Sequence, residues 1–76
     1  MMRIEGTVVE VYETWPLQLS IEAADGLYHI GLHPDTKIKR RGHPAGAMEI
    51  KDHVRIAIDG TISGPKALLA DSIELL

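Results

Sequence analysis

Apolar and polar residues alternate most regularly over residues 17–32, LQLSIEAADGLYHIGL. Leu17, Leu19, Ile21 and Ala23 fall on one face of an extended chain, and Gln18, Ser20 and Glu22 on the other, which is the period of two that a half-buried strand requires. Tyr28, Ile30 and Leu32 resume the alternation beyond Asp25-Gly26. Asp followed by Gly between two such runs signals a tight hairpin, with positive φ expected at both central positions. This hairpin is the element around which the other strands arrange themselves.

Upstream, residues 3–13 are rich in β-branched side chains, but the phase of their alternation changes. Ile4 and Val8 share one parity, Val9 and Val11 the other, so the strand needs a bulge or bend within residues 6–9. Residues 13–16 form the first connection. Pro16 biases Trp15 toward an extended backbone and opens the next strand without needing a ladder donor. Downstream, residues 33–35 break the chain and residues 36–40 extend it again, with Thr36, Ile38 and Arg40 on one face and Lys37, Lys39 and Arg41 on the other. Residues 41–47 hold two glycines and a proline, which predicts a loop or a single turn around residues 45–49 where a helix would otherwise sit. The His-Pro pairs at 33 and 43 read as turns.

Val54, Ile56 and Ile58 give the next clean buried face. Residues 60–65 are expected to turn, with Ile62 as an apolar tether. Residues 66–76 fit helix and strand templates imperfectly, and strand is the better choice because a hairpin-length turn precedes them and the sheet needs closing. Leu69, Ile73 and Leu75 share a phase with Asp71, so facing them inward requires a slip near residues 71–72. The whole of residues 1–76 reads as a single all-β domain of five strands, the third possible in two pieces, closed or partly open as a barrel.

Composition narrows the possible functions. The chain is 45% hydrophobic and 25% charged, as folded proteins are, and it has no cysteine, which removes disulfides, thiolate metal sites and a cysteine nucleophile. No apolar run approaches the roughly 18 residues of a membrane span and no secretory signal pattern opens the chain, so no membrane partner and a cytoplasmic setting are expected. The formal net charge of −3 opposes a general attraction to phosphate backbones, although a local basic patch can act alone.

The phrases IEGTVVEV at 4–11, LQLSI at 17–21, TKIKRRG at 36–42, IKDHVRIAIDG at 50–60 and ALLADSIEL at 67–75, in that order, resemble small bacterial domains with an OB-like five-stranded barrel, many of unknown function. The pattern those domains follow has Gly-Asp two residues before the valine of the fourth strand. Here Lys51-Asp52-His53 precedes Val54, so the glycine is replaced. The resemblance implies a fold and brings no catalytic residue with it. It also implies a contact surface on strands two and three with the flanking loops, comprising Trp15, Gln18, Ser20, Glu22, His29, Gly31 and the turn at 61–66, which includes Lys66.

Trp15 on that rim can anchor a partner or stack a base, or it can plug one end of the barrel. Lys37, Lys39, Arg40 and Arg41 are the dense basic cluster, able to neutralise phosphates or simply to keep a strand edge solvated and unpaired. The four histidines, at 29, 33, 43 and 53, lack a recognisable ligand spacing, so neither a metal site nor a cofactor is expected. No nucleophile elbow, phosphate loop or zinc-hydrolase motif is present, so an enzyme is not expected either. The sequence therefore points to a non-enzymatic binding module for a protein or a single-stranded nucleic acid. A structural, self-associating barrel joined through its C-terminal strand is the alternative.

Overall fold

A computed structural model describes residues 2–76. The strands are β1 (Met2–Tyr12), β2 (Gln18–Ala23), β3 (Gly26–Gly31), β4 (Lys37–Arg40), β5 (His43–Pro44), β6 (Arg55–Gly64) and β7 (Ala67–Leu75), with one 3-10 turn at Ala47–Glu49. β1 pairs antiparallel with β2 and β6, β2 with β3, and β6 with β7. Parallel pairing of His29 to Gly31 with Ala67 to Leu69 joins β3 to β7 and closes the ring. β4 then continues along the same strand, from Lys37 opposite Ser72 to Arg40 opposite Leu75. β3 and β4 are thus two pieces of one barrel strand, and the result is a small closed five-stranded barrel with an OB-like order.

The phase change in β1 is resolved where the valines require it. Between Val8 and Glu10 the register against β2 shifts, leaving Val9 as the extra residue, so Val8 enters the core while Val9 faces out. A second slip falls at Asp71. Asp59 pairs with Ser72 and Gly60 with Ala70, so Ile73 and Leu75 face inward on one side of the slip. Leu68 and Ala70 do so on the other, whereas Leu69 points out, in the opposite phase to the sequence expectation.

Two close approaches make the curvature possible. Gly6 pairs with both Ala23 and Ile56, and a Cβ there would lie 2.7 Å from the Glu22 carbonyl oxygen. Gly60 sits under the carbonyl of Leu69, where the Asp71 bulge folds β7 over β6. That approach explains a misreading. Gly60 marks strand contact and no turn, β6 continues to Gly64, and Ile62 is 64% exposed, so it tethers nothing.

Two further turns differ from expectation. Residues 24 and 25 connect β2 to β3, and Gly26 alone takes positive φ, at 126°. His43-Pro44 forms β5, a short edge strand on β4, where proline's missing donor faces away from the ladder. The core comprises Ile4, Val8, Leu19, Ile21, Ile30, Ile56, Ile58, Leu68, Ile73 and Leu75 together with their buried neighbours. Ile50, just past the 3-10 turn, is also buried and joins this cluster, the plugging role that Trp15 was a candidate for. No helix among the described residues is long and apolar enough to cross a membrane.

Candidate functional site

The residues singled out from the sequence separate into three places. Gln18, Ser20 and His29 do share the outer face of β2 and β3. There His29 Nε2 and Gln18 Oε1 are hydrogen-bonded at 2.8 Å, and the Tyr12 hydroxyl lies 3.3 Å from both Glu10 Oε1 and Ser20 Oγ. The Tyr12 and His29 rings stand 6.2 Å apart, tilted by 43°. These polar groups satisfy one another, and Glu10 and Glu22 add negative charge, so the face offers few free donors to an anion. Tyr12 was not singled out from the sequence. The signal for it is the bulge at Val9, which turns Glu10 and Tyr12 to the same outer side.

Lys66 belongs to a latch. At the tip of the β6–β7 hairpin its Nζ lies 3.1 Å from Asp25 Oδ2 and 2.7 Å from the Asp25 carbonyl oxygen, and 4.9 Å above the Tyr28 ring. The Tyr28 hydroxyl donates to the same carboxylate at 2.9 Å. This network ties the β2–β3 turn to the β6–β7 turn beside the parallel closure. Hydrogen bonds from Tyr28 and then Lys66 hold the Asp25 carboxyl below its ordinary value, while the Asp25 hydrogen bond raises both Tyr28 and Lys66. A lowered carboxyl contributes stability above its unfolded value of about 3.9 and loses it as pH falls through the folded value. The melting temperature of the wild type should therefore drop below about pH 4 more steeply than that of Asp25→Asn. Identical acid profiles would remove the latch as a stabilising element. The raised groups act in the other direction, losing their contribution as pH climbs past about 10.

The basic cluster divides as well. Arg40 is clamped to Glu49, with Nε at 3.0 Å and Nη2 at 2.9 Å from Oε1, while Glu49 Oε2 accepts from the Gly46 backbone at 3.2 Å. Those two contacts, backbone first, hold Glu49 below its ordinary carboxylate value. Of the eight lysines and arginines, Arg3, Arg40, Arg55 and Lys66 are held by carboxylates. Lys37, Lys39, Arg41 and Lys51 have no carboxylate partner among the described residues. Arg41 and Gly42 join β4 to β5 with φ of 52° and 81°, the arrangement of a type I′ hairpin turn. For a side chain as large as arginine the left-handed backbone costs about 1–2 kcal/mol.

Trp15 lies outside the core, 80% exposed on the loop between β1 and β2. It borders a crevice shared with Leu17, Leu32, Ile38 and Ala47. Leu17 and Ala47 continue into an open depression of about 640 Å³ against Val11 and Met48, with Glu13, Lys51 and Asp52 at its rim. Met48, on the 3-10 turn, is 83% exposed. Nothing in the spacing of residues 43–49 singles Met48 out, because a loop carries no burial period.

Among the described residues, no three histidine, aspartate or glutamate side chains gather where they could hold a metal ion. His33 Nε2 lies 3.5 Å from Asp71 Oδ1 across the break between β3 and β4, and His43 and His53 are exposed. The chain matches no protein-family model and no curated protein. The strand order and the side-chain geometry are therefore the basis for a functional reading.

Proposed function

We infer that this chain is a non-enzymatic binding module that docks a protein partner at the end of the barrel marked by Trp15. The observation that carries this is that the two large apolar side chains most exposed among the described residues, Trp15 and Met48, border adjoining depressions that share Leu17 and Ala47. Large exposed apolar groups grouped beside polar rims are characteristic of protein contacts, and tryptophan is prominent among the residues that dominate such contacts. Glu13 and Asp52 on the rim favour a partner that brings a cation beside its apolar anchor.

Two other readings have less support. A single-stranded nucleic acid on the β2–β3 face would meet Glu10 and Glu22, and would have to compete for groups already hydrogen-bonded to each other. Self-association through the C-terminal strand lacks a free edge, because β7 is paired on both sides and Leu75 is buried.

The chain has one tryptophan, so its emission reports Trp15 alone. Free protein should emit at the long wavelength of a wet indole and be readily quenched by acrylamide. Peptides selected by display on the immobilised protein should shift that emission to the blue, and Trp15→Ala should abolish their binding without changing the melting temperature. A blue-shifted indole in the free protein, or selection indifferent to Trp15→Ala, refutes the reading. A sedimentation mass of a dimer that Trp15→Ala returns to monomer would name a second copy as the partner.

A further inference from the structure

We propose that the outer face of the β4–β5 hairpin is a separate contact surface that holds a phosphodiester chain, a single-stranded nucleic acid gripped by its phosphates with no reading of its bases. Lys37 and Lys39 are exposed on β4, two residues apart on the face opposite Ile38. Their stems therefore stand about 6.6 Å apart, so each can hold its own phosphate. Beside them is an open depression of about 270 Å³, which Ile38 and Pro44 also line.

Arg41 adds a third exposed cation at the hairpin tip. Its left-handed φ of 52° is what the first central position of the type I′ turn requires. Arg41 has no carboxylate partner among the described residues. With no carboxylate to hold it, the guanidinium is free to meet an anion from outside, as Lys37 and Lys39 are.

The hairpin is fixed in advance. The Arg40–Glu49 clamp ties it to the 3-10 turn, and the Ala45 amide donates to the Ile38 carbonyl at 2.9 Å. The charges are therefore presented without further ordering. A narrow row of cations suits a linear polyanion better than a plane of lipid headgroups. The hairpin carries no phenylalanine, tyrosine or tryptophan, and its one aromatic ring is the small imidazole of His43, so recognition is through phosphate and independent of sequence. With a net charge of −3 on the whole chain, the attraction is confined to this patch.

The test is fluorescence anisotropy of a labelled oligothymidylate titrated with the protein at rising salt. Affinity should fall with a log–log slope of about −2, from about −0.7 for each of three single-strand phosphates. Combining Lys37→Gln, Lys39→Gln and Arg41→Gly should abolish binding. Arg41→Gly alone should weaken it about fivefold, the scale of one exposed charge contact, while raising the melting temperature by removing the left-handed arginine. Trp15→Ala should leave the affinity unchanged, which separates this surface from the protein-docking crevice. The proposal is overturned if the oligonucleotide fails to bind at low salt, or if the triple variant binds as the wild type does. Loss of binding with Trp15→Ala overturns it too, as does equal affinity for phosphatidylserine vesicles or poly-aspartate, which would assign the patch to lipid or to protein carboxylates.

Discussion

Gly60→Ala is expected to destabilise the fold by about 3 kcal/mol, the upper end of what overpacking ordinarily costs. A Cβ at this position would overlap the Leu69 carbonyl oxygen and press on the Leu69 carbonyl carbon and Ala70 Cα, all of them backbone atoms. A flexible side chain can swing aside, but a carbonyl held between two strands moves only if the ladder moves. Gly60 pairs with Met2 on one side and Ala70 on the other, so any relief disturbs both seams. A chain of this length has about 4–11 kcal/mol of stability in total, from about 0.05–0.15 kcal/mol per residue. The control is Gly64→Ala on the same strand, where the nearest atom to a new Cβ is the Ala67 side chain at 3.8 Å. That change should be neutral or slightly stabilising, because alanine narrows the unfolded ensemble. Urea unfolding of both variants measures the contrast, and equal midpoints would show that the β6–β7 crossing is looser than described.

Ile58→Ala should cost about 2–5 kcal/mol, the range for truncating a buried isoleucine to alanine. Ile58 is fully buried and lies opposite Ile4 on β1 and Ile73 on β7, so one row of isoleucines crosses three neighbouring strands. Removing its middle member leaves a cavity that the closed ring cannot collapse to fill. Ile62→Ala is the matched comparison, the same substitution on the same strand at an exposed site, expected to stay within about 0.5 kcal/mol. If both variants unfold at the same denaturant concentration, residues 58 and 62 do not face opposite environments and the register of β6 is wrong.

The fold is legible in the sequence wherever burial imposes a period. Leu19, Ile21, Ile30, Ile56 and Ile58 announce their strands because each must enter the core on alternate residues. The slips at Val9 and Asp71 are legible for the same reason, as conflicts of phase that only an extra residue resolves. The side of the Asp71 slip on which each leucine turns is not legible, because Leu68 and Leu69 are equally apolar and only the closure against β3 chooses between them. Gly60 misleads for a related reason. A glycine that opens a turn and one that admits a neighbouring backbone look the same in one dimension.

The candidate site is less legible, since its residues lie mostly where no period operates. Trp15 sits in a loop and Met48 on a 3-10 turn, and neither composition nor spacing says that the depressions they border adjoin at Leu17 and Ala47. The basic run is visible at once, but its division into a clamped Arg40 and an open Lys37, Lys39 and Arg41 depends on where Glu49 lies. Lys66 shows the same limit. It reads as an available cation until Asp25, distant in sequence, is brought beside it by the parallel closure.

That closure also has a consequence for synthesis. Both β3 and β4 take their parallel partner from β7, so the ring cannot shut until residues 67–75 have been made. Before then β1, β2, β3 and β6 form at most an open sheet whose outer edges are unsatisfied. The nascent polypeptide must carry that exposed border until residues 67–75 have emerged, and folding completes in one late step in which β7 seals it.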